Sequence, residues 1–118
     1  MRTGESTEVT RSYTKEDMAD FAALTGGALP DQVPEPLIGA LFSYLLGVRL
    51  PGSGTNYLKQ SLTFLAPAPL NQPLTARVEI TRMRPEKYLV DLATTCRLAD
   101  GTLICEGRAL VLAKDVGA

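Results

Sequence analysis

DQVPEPLIGALFSYLLG, residues 31–47, is the stretch that decides how this chain folds. Apolar side chains cover nearly every face of a helix in it, at positions 37, 38, 41, 42, 45 and 46. Pro36 suits the first turn, where a missing backbone N–H costs nothing, and Gly47 is expected to end the helix. A helix that is apolar all round must be wrapped by other structure, so this stretch predicts a buried central helix.

The residues before this helix predict a strand and a second helix. Residues 8–13, EVTRSY, alternate in the way that is typical of a strand. Thr14 is a predicted N-cap, because acidic residues follow it in the first turn. Apolar residues then recur at helical spacing as far as Gly26 and Gly27, which predicts an amphipathic helix ending there.

Four strands are predicted after the central helix, at residues 55–64, 74–84, 87–98 and 102–113. In the first of them, Leu58, Leu62 and Phe64 are expected on one face and Tyr57 on the other. One antiparallel sheet wrapped around one long helix accounts for this order of elements. The sequence therefore predicts an α+β arrangement in a single domain, residues 1–118.

The two cysteines are expected to face each other across the last hairpin. Asp100-Gly101 is a strong type I′ turn signal. If these two residues form the turn, Cys96 lies directly opposite Cys105 on the neighbouring strand. A cytoplasmic protein keeps its thiols reduced, so we expect two reduced, half-buried thiols rather than a disulfide.

Composition excludes several classes of function. The chain of 118 residues has a net charge of -1, which offers no footprint for nucleic acid or an anionic membrane. It contains no histidine, so Ser-His-Asp and Cys-His catalysis is not available within one subunit. Its two cysteines are too few for a metal cluster, and we expect no metal or cofactor. The first residues, MRTGESTEV, lack the apolar segment of a secretory signal, which predicts a cytoplasmic protein.

Three segments resemble the MaoC-like, (R)-specific enoyl-CoA hydratases. They are YTKEDMADFAALTG, then LIGALFSYLLGVRLPGSGTNYLKQSLTFLAPAPLNQPLTARVEIT, and finally DGTLICEGRALVL. The resemblance runs in one order over most of residues 11–113, and LPGSGTNYLKQSLTFLAP is its most specific part. It implies a hotdog fold, in which an antiparallel sheet wraps around a long central helix and two subunits pair. It also implies a substrate class, acyl thioesters of coenzyme A or acyl carrier protein.

The sequence departs from the family where the family carries out its chemistry. There, an Asp and a His on the loop between the two helices transfer protons as water adds across the 2,3-double bond. A His-Gly-Met triplet starts the central helix and helps to hold the thioester oxygen. Here the triplet is replaced by Pro34, Glu35 and Pro36. The loop is shortened to ALPDQV, a loss of about 15 residues, which is the length of a functional loop.

Two acids and four other residues are the candidate site. Glu35 or Asp31 could act as a general base or nucleophile at the thioester, or Glu35 could simply be an exposed acid near a helix N-terminus. The Glu35 N–H takes the place of the triplet's glycine amide, so it is the candidate donor to a thioester carbonyl. The candidate substrate-binding residues, each with an ordinary structural alternative, are Tyr57, Leu58 and Gln60 on a strand and Ser43 in the central helix.

These observations favour a protein that binds acyl-CoA or an acyl carrier protein thioester without hydratase activity. Two further hypotheses remain open: a thioesterase that uses Glu35 or Asp31, and an inactive subunit of a heteromeric hydratase. The expected assembly is a homodimer, or a heteromer with a hotdog paralogue. Neither a nucleic acid nor a membrane is expected as a partner.

Overall fold

The predicted central helix is present and lies against one face of a single sheet. The computed structural model describes residues 1–52 and 54–113. In chain order the elements are β1 (Ser6–Arg11), α1 (Lys15–Thr25), α2 (Glu35–Tyr44), β2 (Thr55–Phe64), β3 (Leu74–Arg84), β4 (Leu89–Leu98) and β5 (Leu103–Ala113). A π-helical turn, Leu45–Arg49, extends α2, and a 3-10 turn, Pro85–Lys87, precedes β4.

The five strands form one antiparallel sheet in the order β1-β3-β4-β5-β2. Ile38, Phe42 and Leu46 on the central helix are buried in one core with the inward-facing side chains of β3 and β4. The predicted α+β arrangement, a sheet around a buried helix, is therefore confirmed. None of the helices in the described ranges is long and apolar enough to span a membrane.

Helix α1 begins and ends where the sequence predicts. The Asp17 N–H donates to the Thr14 hydroxyl at 3.2 Å, and the Thr14 N–H donates to the Asp17 carboxylate at 2.8 Å. This reciprocal pair is a capping box, which satisfies two backbone donors that the helix itself leaves free. At the other end, Gly26 adopts a left-handed conformation with φ 72° and closes the helix.

The end of the central helix differs from the prediction that Gly47 closes it. The α-helical segment stops at Tyr44, and Gly47 lies inside the π-helical turn. The Leu50 N–H donates to the Leu45 carbonyl at 2.8 Å, which is the wider bonding pattern of a π-helix. The consecutive side chains of Leu45 and Leu46 are both fully buried in this turn, so the widened helix keeps its apolar side chains in the core.

Strand β1 lies two residues earlier than predicted because β3, the strand with which it pairs, begins at Leu74. Arg11 pairs with Leu74, the first residue of β3, which directly follows Pro73. Proline has no N–H to continue the ladder, so the strand pairing ends there. Tyr13 consequently lies in the connection to α1, where it is buried.

A β-bulge in β2 changes which face its side chains occupy. The register to β5 shifts between Tyr57 and Lys59, leaving Leu58 as the extra residue. Tyr57 therefore lies opposite Val111, on the same inward face as Leu62, and the prediction that it faces away is wrong. The expected alternation fails here because one inserted residue inverts every side chain beyond it.

The last hairpin reaches the predicted pairing of its cysteines by a different turn. Gly101 has φ 91° and donates its N–H to the Leu98 carbonyl at 2.9 Å, so the connection has three residues, 99–101, rather than two. The Asp100 side chain accepts the Thr102 N–H at 2.9 Å, a local bond that competes with the predicted type I′ turn. A register shift beyond Arg97 then restores Cys96 opposite Cys105.

Cys96 and Cys105 are both free thiols, as expected, but each is fully buried rather than half-buried. Burial, and to a smaller extent the neighbouring Cys105, raises the pKa of Cys96 to about 11. Burial also raises the pKa of Cys105 to about 11, with smaller contributions from the negative charges of Glu35 and Glu106. Both thiols are therefore protonated near neutral pH and belong to the core.

Gly107 in the middle of β5 allows strand β2 to approach closely. It pairs with Leu62 on one side and with Thr94 on the other. A Cβ atom built on Gly107 would overlap the backbone carbonyl of Ser61, and a backbone cannot move aside as a flexible side chain can. Any larger residue at this position would push the edge strand away from the sheet.

We expect Gly107→Ala to lower the free energy of unfolding by about 1–3 kcal/mol, the usual cost of overpacking. Denaturation in urea followed by circular dichroism measures this change. Gly47→Ala is the matched control, because a Cβ there meets no atom within 4 Å. Equal stability of the two variants would show that β2 is not held against Gly107.

Stability is expected to fall as the pH rises from about 9 to about 11. Thiols of the unfolded chain ionise at roughly pH 8.5, whereas the folded thiols keep their protons, so the unfolded state binds fewer protons in this window. The loss should be on the order of 1 kcal/mol per pH unit for each thiol. Urea unfolding at a series of pH values measures it. The double variant Cys96→Ala, Cys105→Ala should show a shallower decline, and an unchanged slope would contradict the assignment.

Candidate functional site

The entrance of α2 is built from two prolines and one acid. Pro34 is the N-cap, with no side-chain capping bond, and Glu35 is the first helical residue. Pro36 has no N–H, and the Leu37 N–H donates to the Pro34 carbonyl at 3.0 Å. The Glu35 N–H has no partner among the residues that the structure describes, so it remains available as a donor at this entrance.

A cavity of about 320 Å³ opens at this entrance. Its walls combine the first turn of α2 with the end of β2 and the connection after it. The lining includes Gln32, Val33, Glu35, Ile38, Phe64 and Ala66. Asp31 is exposed in the preceding loop and is not part of this lining. Of the two predicted acids, the structure therefore places only Glu35 at the cavity.

The charge of Glu35 acts on the end of β5. It is the largest contributor after burial to the raised pKa of the Cys105 thiol. Phe64 lies opposite Cys105 in the sheet and lines the same cavity as Glu35. The Glu35 side chain therefore lies near the Phe64–Cys105 pair of β2 and β5. A negative side chain at this point disfavours the build-up of negative charge on a thioester oxygen held by the Glu35 N–H.

Ser43 and Tyr57 form a bridge between the central helix and the edge strand. The Tyr57 hydroxyl lies 3.3 Å from the Ser43 hydroxyl. Burial raises the pKa of Tyr57, and the hydrogen bond to Ser43 offsets part of that rise. The phenol is therefore neutral near neutral pH and can donate a hydrogen bond. The bulge at Leu58 makes this bridge possible, because it turns Tyr57 toward α2.

The other predicted binding residues divide between two positions. Gln60 pairs with the buried Ala109, so it occupies an inward-facing register position like Tyr57. Leu58 is the bulged residue and is half exposed. Ser43 and Tyr57 therefore meet on the flank of α2 that faces β2. Gln60 is exposed and borders a surface pocket together with Lys59, Ser61 and Arg108. Ser43 follows Glu35 by eight residues, so the bridge lies about 12 Å further along the helix than the entrance cavity.

Sequence reasoning missed the apolar wall of the entrance cavity. Phe64 and Ile38 were expected only as core residues, and Val33 was assigned to an irregular loop. The register of β2 would have indicated this wall. That register is known only once the bulge at Leu58 has been located. Within residues 1–52 and 54–113, no cluster of three or more acidic, cysteine or histidine side chains could hold a metal ion.

Comparisons with known proteins agree with this architecture, although no protein-family model matches the chain. The chain is 33% identical to an (R)-specific enoyl-CoA hydratase of Rhodospirillum rubrum, over 95% of this chain and 88% of that protein. It is 42% identical to an (R)-specific enoyl-CoA hydratase of Aeromonas caviae, over 77% of this chain and 67% of that protein.

A solved structure of the (R)-hydratase from A. caviae involved in PHA biosynthesis matches with a TM-score of 0.86. The identity is 32%, and the match covers 94% of this chain and 96% of that one. The sheet order and the buried helix are thus shared with a solved relative as well as with the sequence relatives. The fold is a hotdog fold, and the chain belongs to the MaoC-like, (R)-specific enoyl-CoA hydratase family.

Proposed function

We propose that this protein binds acyl thioesters in the groove between α2 and β2 and does not hydrate enoyl thioesters at an enzymatic rate. One observation carries the proposal: Pro34, Glu35 and Pro36 occupy the helix entrance, in a chain whose 118 residues contain no histidine. Adding water to a double bond requires a group that accepts one proton and donates another. In this proposal the chain keeps the ability to bind the thioester, while the imidazole that the family resemblance implies is absent.

The length of the inter-helix connection supports this proposal. Only residues 26–34 separate α1 from α2. The match to the Rhodospirillum rubrum hydratase spans 127 aligned positions. It includes 95% of this chain's 118 residues, which is about 112 residues. About 15 positions of that match therefore have no counterpart in this chain. A shortened connection, with no room for an additional loop bearing catalytic groups, is consistent with this difference.

The shape and polarity of the groove favour an acyl chain. Ile38 and Phe64 provide an apolar wall near Glu35. The Ser43–Tyr57 bridge crosses the groove further along the helix and would limit how far a chain can extend. The thioester carbonyl would meet the Glu35 N–H, and the acyl chain would run toward the bridge. The choice between coenzyme A and acyl carrier protein does not affect this part of the proposal.

Strand β2 supports pairing with a second hotdog subunit. It is one of the two edges of the sheet, and Tyr57 and Leu58 are exposed along it. The other edge is partly covered, because Arg49 donates to the Glu8 carbonyl of β1 at 2.6 Å. An uncovered edge strand presents unpaired backbone N–H and C=O groups with which another chain can pair. We propose a homodimer through β2, or a heteromer with a paralogue, located in the cytoplasm, where thiols such as these stay reduced.

A second candidate function is thioester hydrolysis, because the Glu35 carboxylate lines the entrance cavity. An ionised carboxylate there could act as a base or as a nucleophile. Asp31 is less suited to this role because it lies outside the cavity. The experiment below separates the two functions.

Incubation of the pure protein with crotonyl-CoA should give saturable binding heat in calorimetry and no hydration. The reason is that no imidazole is present to transfer the protons. Loss of the enoyl absorbance at about 10 turnovers per second, a typical enzymatic rate, would contradict the proposal. Thiol release that disappears in Glu35→Gln but persists in Asp31→Asn would instead establish the hydrolytic function.

Replacing Ser43 by Phe should weaken binding of a decanoyl thioester about tenfold or more, because the larger ring fills the groove at the bridge. Binding of an acetyl thioester should change less, since a short chain does not reach this point. Calorimetric titration of both ligands measures the difference. Ser61→Phe is the control, as Ser61 is exposed and pairs with Arg108 on the outer face of the sheet. Equal weakening by both variants would show that the acyl chain lies elsewhere.

A further inference from the structure

A second groove lies on the opposite flank of the central helix. It is bounded by α1, β1 and the side of α2 that faces away from β2, and its volume is about 590 Å³. Apolar side chains make up most of its lining, among them Val9, Phe21, Leu24, Leu37, Leu41 and Tyr44. The volume falls within the range of roughly 300–1,000 Å³ that small-molecule sites occupy. We call this the α1 groove.

Tyr13 gives the α1 groove a polar group without a partner. Its side chain lines the groove and is only 4% exposed. The Arg11 guanidinium lies over the ring, 4.5 Å from its centroid. The Tyr13 hydroxyl makes no hydrogen bond to a described residue, and because Tyr13 lines the groove this hydroxyl is available to a molecule bound there. A ligand that carries a hydrogen-bonding group would satisfy this hydroxyl.

The charges around the α1 groove select against an anionic ligand. Asp17 and Asp20 both belong to the lining. The hydrogen bond from the Thr14 N–H lowers the pKa of Asp17, so this carboxylate is ionised near neutral pH. Arg11 is the one cation in the lining, and its guanidinium lies 4.0 Å from the Asp17 carboxylate. Arg49 lies over the Tyr44 ring, 5.4 Å from its centroid, and is bonded to the Glu8 carbonyl. An anionic head group would therefore meet two carboxylates in the lining, while both nearby guanidinium groups are already engaged.

The under-packed state of α1 agrees with a bound ligand. Of its eleven residues only Met18 is fully buried, and Leu24 is 88% exposed although it borders the groove. Short helices in proteins derive most of their stability from the packing of one apolar face. A molecule in the α1 groove would cover Leu24 and Phe21 and complete that packing.

The geometry points to the α1 groove as a binding site for a neutral, chain-like amphiphile of medium length, distinct from the thioester groove along β2. Its apolar tail would lie between α1 and α2, and its hydroxyl or carbonyl would meet the Tyr13 hydroxyl. This site does not depend on the proposed function, because the two grooves share no residue and lie on opposite flanks of α2.

The neutral fluorophore N-phenyl-1-naphthylamine is a direct probe of the α1 groove. We expect saturable fluorescence enhancement with the wild-type protein. Ala40→Phe should weaken it at least about tenfold, because Ala40 is an exposed lining residue and a phenyl ring there fills the groove without entering the core. Ala23→Phe makes the same change on an exposed position of α1 outside the lining, so it should leave binding unaltered. Thermal melts establish that both variants fold.

Competition with this probe tests the ligand class. A neutral C10 alcohol should displace it more effectively than the C10 carboxylate, because of the two aspartates. Tyr13→Phe should reduce displacement by the alcohol while probe binding is retained, since only the hydroxyl is lost. Displacement that is stronger with the carboxylate would overturn the proposed ligand class.

Three other results would overturn the assignment of the site. The first is probe binding that Ala40→Phe does not change. The second is probe binding that is lost in Ser43→Phe and retained in Ala40→Phe, which would place the probe in the thioester groove and leave the proposed function intact. The third is a change of molecular mass in Ala40→Phe, measured by light scattering, which would identify the α1 groove as a contact between subunits.

Discussion

Burial of the central helix is the constraint on which the rest of this structure depends. The side chains of Ile38, Phe42, Leu45 and Leu46 are almost completely removed from water. No single face of the sheet could cover a helix that is apolar all round unless the sheet curls around it. The helix then has the α1 groove, next to β1, on one flank, and on the other flank Ser43 contacts Tyr57 of β2.

Two local features of the sheet convert this arrangement into a defined site. Gly107 lets the backbone of β2 approach β5 closely at Ser61. The bulge at Leu58 then rotates Tyr57 inward, where it meets Ser43 on the helix. Without the first feature the edge strand would stand off from the sheet, and without the second the phenol would face outward. The bridge between Tyr57 and Ser43 is therefore a product of strand geometry as much as of the residues themselves.

The chemistry at the helix entrance separates this protein from the mechanism that its family resemblance implies. The hotdog fold is retained, while the entrance of α2 carries a carboxylate between two prolines. A carboxylate beside a thioester oxygen opposes the charge that acyl chemistry develops there. A fold can be kept while the groups at its site change, because the fold depends on packing and the chemistry on a few side chains.

The sequence alone determined the fold class, the capped α1 and the buried central helix, because hydrophobic periodicity and capping are local signals that survive in any tertiary context. The pairing of Cys96 with Cys105 was predicted correctly, but from a two-residue turn that does not form, and a register shift restores it. The tertiary structure decided the inward face of Tyr57, the π-helical turn at Gly47, and the separation of Glu35 from Asp31 at the cavity. These outcomes follow from one bulge, one widened turn and the path of one loop. In each of these three places, packing in the assembled core competes with a local conformational preference of similar free energy. The pattern of residues along the chain does not show which of the two prevails.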